Sequence, residues 1–259
     1  MSQDNHNQAD THQVFNQPLP LENFNAFDSD SALQYWLAKF GGDWGTERLL
    51  QFGHRVGHDL LAAGSDANKQ LPEFHSHDRF GHRIDQVNYH PAYHHLMSHA
   101  IEAGHTSLPW TENKSGAHVV RAAMAYLHNQ ADPGSGCPLT MTFASVPAIA
   151  QQADVAKVWL PLITSCIYDG DNKPWFEKKG VTIGMAMTEK QGGSDVRKNT
   201  TRAYPIGQPG PGKAYELVGH KFFVSAPMCD ALLVLAQAEG GICCFLVPRW
   251  RPDGSKIAL

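Results

Sequence analysis

Charge is sparse in this chain. Only 18% of its 259 residues are Asp, Glu, Lys or Arg, and 21 basic residues stand against 25 acidic ones. No run of five Lys or Arg occurs, and the formal net charge is −4, so the basic face that marks a nucleic-acid footprint is missing. No apolar stretch reaches the roughly 18 residues that a membrane-spanning helix needs. The first sixteen residues are polar, rich in Gln, Asn and His, and lack the apolar segment of a secretory signal. They read as a disordered stretch within a polar tail over residues 1–27. The five cysteines, Cys137, Cys166, Cys229, Cys243 and Cys244, are odd in number and form no C-x-x-C. Reduced thiols and a cytoplasmic location are the expectation. On a strand, the adjacent Cys243 and Cys244 would point to opposite faces, and both are expected as small core residues. No G-x-G-x-x-G lies between a strand and a helix, which removes a Rossmann unit, and no internal repeat is visible.

Hydrophobic residues make up 42% of the chain, with six Trp and twelve Phe, ample for a packed core. The first two-thirds reads as helices. Asp28 or Ser29 can cap a helix that places Leu33, Trp36, Leu37 and Phe40 on one buried stripe, ended by Gly41 and Gly42. A second helix is expected over residues 47–63, with Leu49, Phe52, Val56 and Leu60 inward. Pro91 opens a third, Ser115 caps a fourth, and two more are expected over residues 138–151 and 156–166. After Gly180 the pattern changes to short runs of period 2, separated by Gly- and Pro-rich turns. Strand candidates are residues 181–188, 199–204, 215–218, 221–225, 231–237 and 241–248. The fold class expected is α+β: an N-terminal all-α domain over residues 28–178, then an antiparallel, barrel-like β domain over residues 179–259.

The segment richest in chemistry is MAMTEKQGGSD, residues 185–195. A strand-like run delivers the hydroxyl of Thr188 to its end, Gly192 and Gly193 follow, and Ser194 lies just beyond. Glycine allows the backbone to press against a bulky ligand, and hydroxyls with turn amides supply donors for a polar heterocycle or a diphosphate. A polar loop joining two strands is the plain alternative. The segment resembles the flavin-contacting T-E-x-x-x-G-S-D stretch of acyl-CoA dehydrogenases, most closely their AidB-like, alkylation-response branch. GCPLTMTFA at residues 136–144, HKFFVS at 220–225 and NQPLPL at 16–21 resemble the same branch, in the same order.

The resemblance implies FAD as cofactor and α,β-dehydrogenation of an acyl thioester as reaction type, with a link to the response to DNA alkylation damage. Carried over position by position, Met185, Met187 and Thr188 match strand residues that touch the flavin ring, and Gly193 and Ser194 match the turn that meets the cofactor. Phe223 matches an aromatic packed beside the ring, and Val224 and Ser225 follow it. Phe223 and Ser225 are expected on one face of a strand. Met185 departs from the family by standing where many relatives have an aromatic. The resemblance further implies that the sheet domain continues past residue 259 into a second helical domain. That domain would carry the catalytic base, contacts that build a homotetramer, and any contact with nucleic acid. No catalytic residue is therefore assigned within the chain, and the stretch alone is expected to be inactive. The alternative is a non-catalytic flavoprotein scaffold that binds DNA or a partner through the part beyond residue 259. A third reading is a partial barrel with no activity of its own.

His90, His94, His95 and His99 form two i, i+4 pairs of the kind that ligate zinc on a helix. No Glu or Cys completes an H-E-x-x-H set, and His94 and His95 diverge by about 100° around the helix. Histidines of an amphipathic helix are the preferred reading, with no metal.

Overall fold

The computed structural model describes residues 11, 12 and 14–257. Helix α1 (Ser31–Lys39) starts at Asp30, whose carboxylate accepts from the Leu33 amide. The cap is thus Asp30, not Asp28 or Ser29. Of its expected stripe, Leu37 is buried and Leu33 packs partly against the core, whereas Trp36 and Phe40 are exposed. These two stack on each other at 5.6 Å instead. The expected second helix is longer than its apolar stripe. Helix α2 (Thr46–Arg55) runs through a π-helical turn (Val56–Leu60) into α3 (Leu61–Lys69).

A two-stranded antiparallel hairpin, β1 (Glu73–His77) and β2 (Arg83–Asn88), then interrupts the helical region. Sequence periodicity missed it because no apolar face marks it: every residue of β1 is exposed. Its turn is set by Asp78, whose carboxylate accepts from the amides of Phe80 and His82, a local bond typical of Asp in turns. Helix α4 (Pro91–Glu102) follows, with the His90 ring accepting from the Ala92 amide. Helix α5 (Leu108–Thr111) is a single turn. Helix α6 (Ala117–Ala131) begins after Gly116, not at a Ser115 cap. Gly116 has a φ of 77°, and a Cβ there would collide with the carbonyl of Gly41, so only glycine fits. Helices α7 (Gly136–Ile149) and α8 (Ala153–Ile163) complete the region.

Its core joins Leu49, Phe52, Val56 and Leu60 of the long helix to Val120, Met124 and Leu127 of α6. Ala26 and Phe27 belong to the same cluster. The chain therefore enters the core ahead of residue 28, where Asn25 accepts from the amides of Phe27 and Asp28. A second cluster joins the helices to the sheet: Val146 and Ile149 of α7 and Trp159 and Ile163 of α8 pack on Val181, Ile183, Ala231 and Leu233.

The sheet consists of β3 (Ile183–Ala186), β4 (Arg202–Pro205), β5 (Tyr215–Val218), β6 (Ala231–Ala238) and β7 (Gly241–Pro248). Strand β6 is its spine. It runs parallel to β3 over Ile183↔Ala231 to Ala186↔Val234, and meets β4 in parallel at Arg202↔Gln237. It is antiparallel to β7 along its whole length, as β4 is to β5. The sheet is thus mixed, not antiparallel throughout. The chain leaves β3, forms the β4–β5 pair, and returns through residues 219–230 before entering β6 in the direction of β3, as a parallel neighbour must.

Two further expectations fail here. Residues 221–225 form no strand, because Phe223 and Ala226 adopt φ of 60° and 53°, which breaks an extended path. Phe223 and Ser225 consequently share no strand face. Cys243 and Cys244 are exposed rather than core: β7 pairs with β6 alone among the described residues, and the packing of this edge strand falls further along it, at Phe245, Leu246 and Val247. No helix among the described residues is long and apolar enough to cross a membrane.

Candidate functional site

Strand β3 rises from the helix–sheet seam and delivers its last residues to the sheet end where the Gly-rich turn begins. Thr142 of α7 fixes the start of the strand, its hydroxyl accepting from the Ile183 amide at 3.0 Å. Beyond β3, Thr188 binds the returning segment twice. Its carbonyl accepts from the Phe222 amide at 3.1 Å, and its hydroxyl donates to the Phe222 carbonyl at 2.8 Å. The two candidate flavin-contacting segments are therefore neighbours, although the second is not a strand.

Glu189 organises the turn. Its side chain is fully buried and accepts from both the amide and the hydroxyl of Thr200, each at 2.8 Å. It also accepts from the amide of Thr201 at 2.8 Å and its hydroxyl at 2.6 Å. Lys221 lies 3.4 Å away. Burial alone would raise this carboxyl, but the bonds from Thr200 and Thr201 outweigh it and hold Glu189 far below the usual carboxylate range. Glu189 is a permanently ionised anchor with its lone pairs occupied, the opposite of what a proton-abstracting base requires. Asp195 is likewise engaged, accepting from the Arg197 amide and pairing with its guanidinium at 2.8 Å.

The turn itself is tight. Glu189 and Gly192 exchange backbone bonds of 3.3 and 3.0 Å. A Cβ on Gly193 would lie 2.8 Å from Cγ2 of Thr188, so the glycine lets the turn fold back over the threonine. Gly193 and Ser194 are exposed, as is Phe223 at 82%. Ser225 is half-buried, and neither serine hydroxyl has a partner among the described residues. Met185 and Met187 pack toward the cluster under α7 and α8. Val224 packs with Ala186, Leu232 and Val234 in a different cluster. Thr188, Gly193 and Phe222 thus meet at one end of β3, Ser194 follows the turn, Phe223 to Ser225 follow Phe222 in the returning segment, and the methionines lie toward the helices.

Sequence reasoning missed the residues that hold the turn in place. Besides Thr200 and Thr201, the Asn199 side-chain Nδ2 donates to the Met187 carbonyl at 2.8 Å, and the His220 ring accepts from the Lys190 amide at 3.3 Å. The paired threonines after Asn199 were the available signal, read only as the start of a strand. The histidines of α4 have separate duties: His94 bonds the Tyr168 hydroxyl at 2.7 Å, His95 meets Asp59 at 2.8 Å, and His99 packs on Phe52 at 4.8 Å.

Residues 16–170 match the adaptive response protein AidB N-terminal domain, and residues 184–258 match the acyl-CoA dehydrogenase middle domain. The chain belongs to the AidB-like branch of the acyl-CoA dehydrogenase family. It is 45% identical over 252 residues to AidB of Escherichia coli (strain K12), covering 96% of this chain and 46% of that protein. It is 27% identical over 194 residues to acyl-CoA dehydrogenase family member 11 of Caenorhabditis elegans, covering 73% of this chain and 30% of that protein. Among solved structures, the apo form of Bd2924 superposes with a TM-score of 0.81 at 28% identity, over 94% of this chain and 49% of that one. The fold also matches Caenorhabditis elegans ACDH-11 in complex with C11-CoA, with a TM-score of 0.79 at 22% identity, over 99% of this chain and 45% of that one. The chain spans less than half the length of the curated relatives it matches. A helical region followed by a sheet domain is therefore the family's arrangement for this stretch.

Proposed function

We propose that this chain provides the helical and flavin-contacting sheet domains of an FAD-dependent acyl-CoA dehydrogenase-like protein of the alkylation-response branch. The carrying observation is the clamp between Thr188 and Phe222, locked by Glu189, which brings the two candidate segments together. The donor set suits a flavin. Ser194 and Ser225 offer hydroxyls without protein partners, Thr188, whose hydrogen is given to Phe222, can offer only its oxygen lone pairs, and the absence of Cβ at Gly193 leaves the turn backbone open to a ligand. The exposed ring of Phe223 offers a flat apolar surface, Val224 supports the returning segment, and Met185 and Met187 flank the site on its helix side.

Bound FAD would supply hydride acceptance, for which an acyl thioester is the proposed donor. That substrate class rests on the C11-CoA complex of the Caenorhabditis elegans structure. The residues of this chain bind and orient. Hydroxyl donors at the polar edge of the ring would favour negative charge there. Glu189 and Asp195 are both engaged, and the family resemblance implies a base for the α-proton beyond residue 259.

The same engagement favours a second reading, a flavoprotein scaffold that holds FAD without dehydrogenating a thioester and binds DNA or a partner elsewhere. The test is flavin absorbance after FAD addition and desalting, followed by anaerobic addition of a medium-chain acyl-CoA. Bleaching of the retained flavin supports the dehydrogenase. Retained but unbleached flavin supports the scaffold, and salt-sensitive DNA affinity would strengthen it. Failure of the whole protein to retain flavin overturns both.

A further inference from the structure

A cavity of ≈ 320 Å³ lies where β2, α4, the loop at residues 168–172 and the segment at 226–230 meet. This volume falls in the range of small-molecule sites. It borders Thr182 at the start of β3, and its rim includes Ala226, which follows Ser225 of the candidate flavin segment, while its aromatic walls stand on β2 and α4 away from the Thr188 turn.

One wall is a stacked pair, Tyr89 and Tyr93, with ring centroids 4.2 Å apart and planes within 18°. Neither hydroxyl has a hydrogen-bond partner among the described residues. The adjoining wall is His94, edge-on to both tyrosines and bonded through Nδ1 to the Tyr168 hydroxyl at 2.7 Å. Burial lowers the His94 ring and raises the Tyr168 phenol. Both are therefore neutral, and their bond fixes the imidazole against the phenol. Gly170 closes over this pair so tightly that a Cβ would lie 2.8 Å from His94 Nδ1 and 2.9 Å from the Tyr168 oxygen.

The charged groups at the cavity are already paired. Lys178 and Asp230 pair at 2.7 Å, each side chain 3% exposed, and Asp169 and Asp171 are both held by Lys173. A charged ligand would find no unpaired counter-ion among these groups. A purely aliphatic one would leave the tyrosine hydroxyls desolvated and unbonded, a loss of about 1–3 kcal/mol for each group. Flat aromatic walls with free neutral donors suit a flat, neutral ring that carries its own donors and acceptors.

We propose that this cavity is a second ligand site, which takes a small neutral heteroaromatic molecule stacked beside Tyr89 and Tyr93 and hydrogen-bonded to their hydroxyls. Adenine, indole and decanoate are suitable probes, titrated calorimetrically into the full-length protein with and without FAD. Adenine is expected to bind whether or not FAD is present, with indole, which has a single donor, weaker. Tyr93→Phe should weaken adenine about fivefold, the worth of one hydrogen bond, and Gly170→Ala should abolish binding by displacing the His94–Tyr168 wall. Near-ultraviolet circular dichroism checks that each variant is folded, and Tyr93→Phe decides the matter if Gly170→Ala is not. No adenine binding, binding displaced by FAD, or binding unchanged in Tyr93→Phe would overturn the proposal. Decanoate binding in preference to adenine would overturn it equally, by marking an alkyl slot.

Discussion

The two ends of β3 each bury a carboxylate, and they do so in opposite ways. At the turn, Glu189 meets mainly neutral donors, the amides and hydroxyls of Thr200 and Thr201, and is held strongly ionised. At the start, Asp230 pairs with Lys178 at 2.7 Å and accepts from the Thr182 amide at 2.9 Å. Burial nonetheless wins there, and the Asp230 carboxyl is raised. The contrast lies in the partners: four amide and hydroxyl donors with Lys221 at the margin surround Glu189, whereas a short ion pair to Lys178 with donors from Thr182 holds Asp230. The dipole-held carboxylate shapes a candidate ligand turn, and the ion pair ties the helical region to the sheet.

Among single substitutions, breaking the ion pair should have the largest effect. Lys178→Met leaves Asp230 buried without its cation, and about 3–5 kcal/mol of stability should be lost in a urea titration at pH 7. Because a raised acid is favoured protonated, that variant should regain stability as pH falls, the reverse of the Glu189 behaviour. Acid acts next, through the helical core. Burial holds His99 and His128 down at about 4, and His105 well below its usual 6.5. Above about pH 6.5 they contribute nothing to pH dependence. Between there and about pH 4 the unfolded chain takes up protons that the folded one refuses. Stability should fall by about 2 kcal/mol per histidine on going to pH 5, measured as the urea midpoint.

Glu189→Gln tests the other carboxylate. An amide cannot accept all four bonds, and about 2 kcal/mol should be lost, with faster amide exchange at Thr200 and Thr201. Glu189 is depressed, so its contribution is present above the ordinary value of 4.5 and is lost as pH falls below it. The wild type should lose this term on acidification and Glu189→Gln should not. Gly193→Ala should have the smallest effect on stability, about 1 kcal/mol from crowding Thr188, with a larger loss of FAD affinity read by absorbance.

Much of this was legible in the chain. Leu49, Phe52, Val56 and Leu60 mark the buried side of the long helix by spacing alone, and the turn at Thr188–Ser194 announces itself through its glycines and hydroxyls. What escaped depends on partners far away in sequence. Glu189 looks like any acidic loop residue until Thr200 and Thr201 fold onto it. The kinked path at residues 221–226 rests on left-handed backbone at Phe223 and Ala226, residue types that give no local warning of it. Cys243 and Cys244 sit in a run that reads as core, yet an edge strand leaves them exposed. The parallel β3–β6 pairing follows from the route of the chain between them, which strand periodicity does not encode.

The visible spectrum of the full-length protein, taken after FAD addition and desalting, tests the central claim most directly. A retained flavin band that is lost in Glu189→Gln, with the variant still folded, is the predicted result, because the anchored turn is what presents the donors. A colourless wild-type protein, or a flavin band indifferent to Glu189, would contradict it.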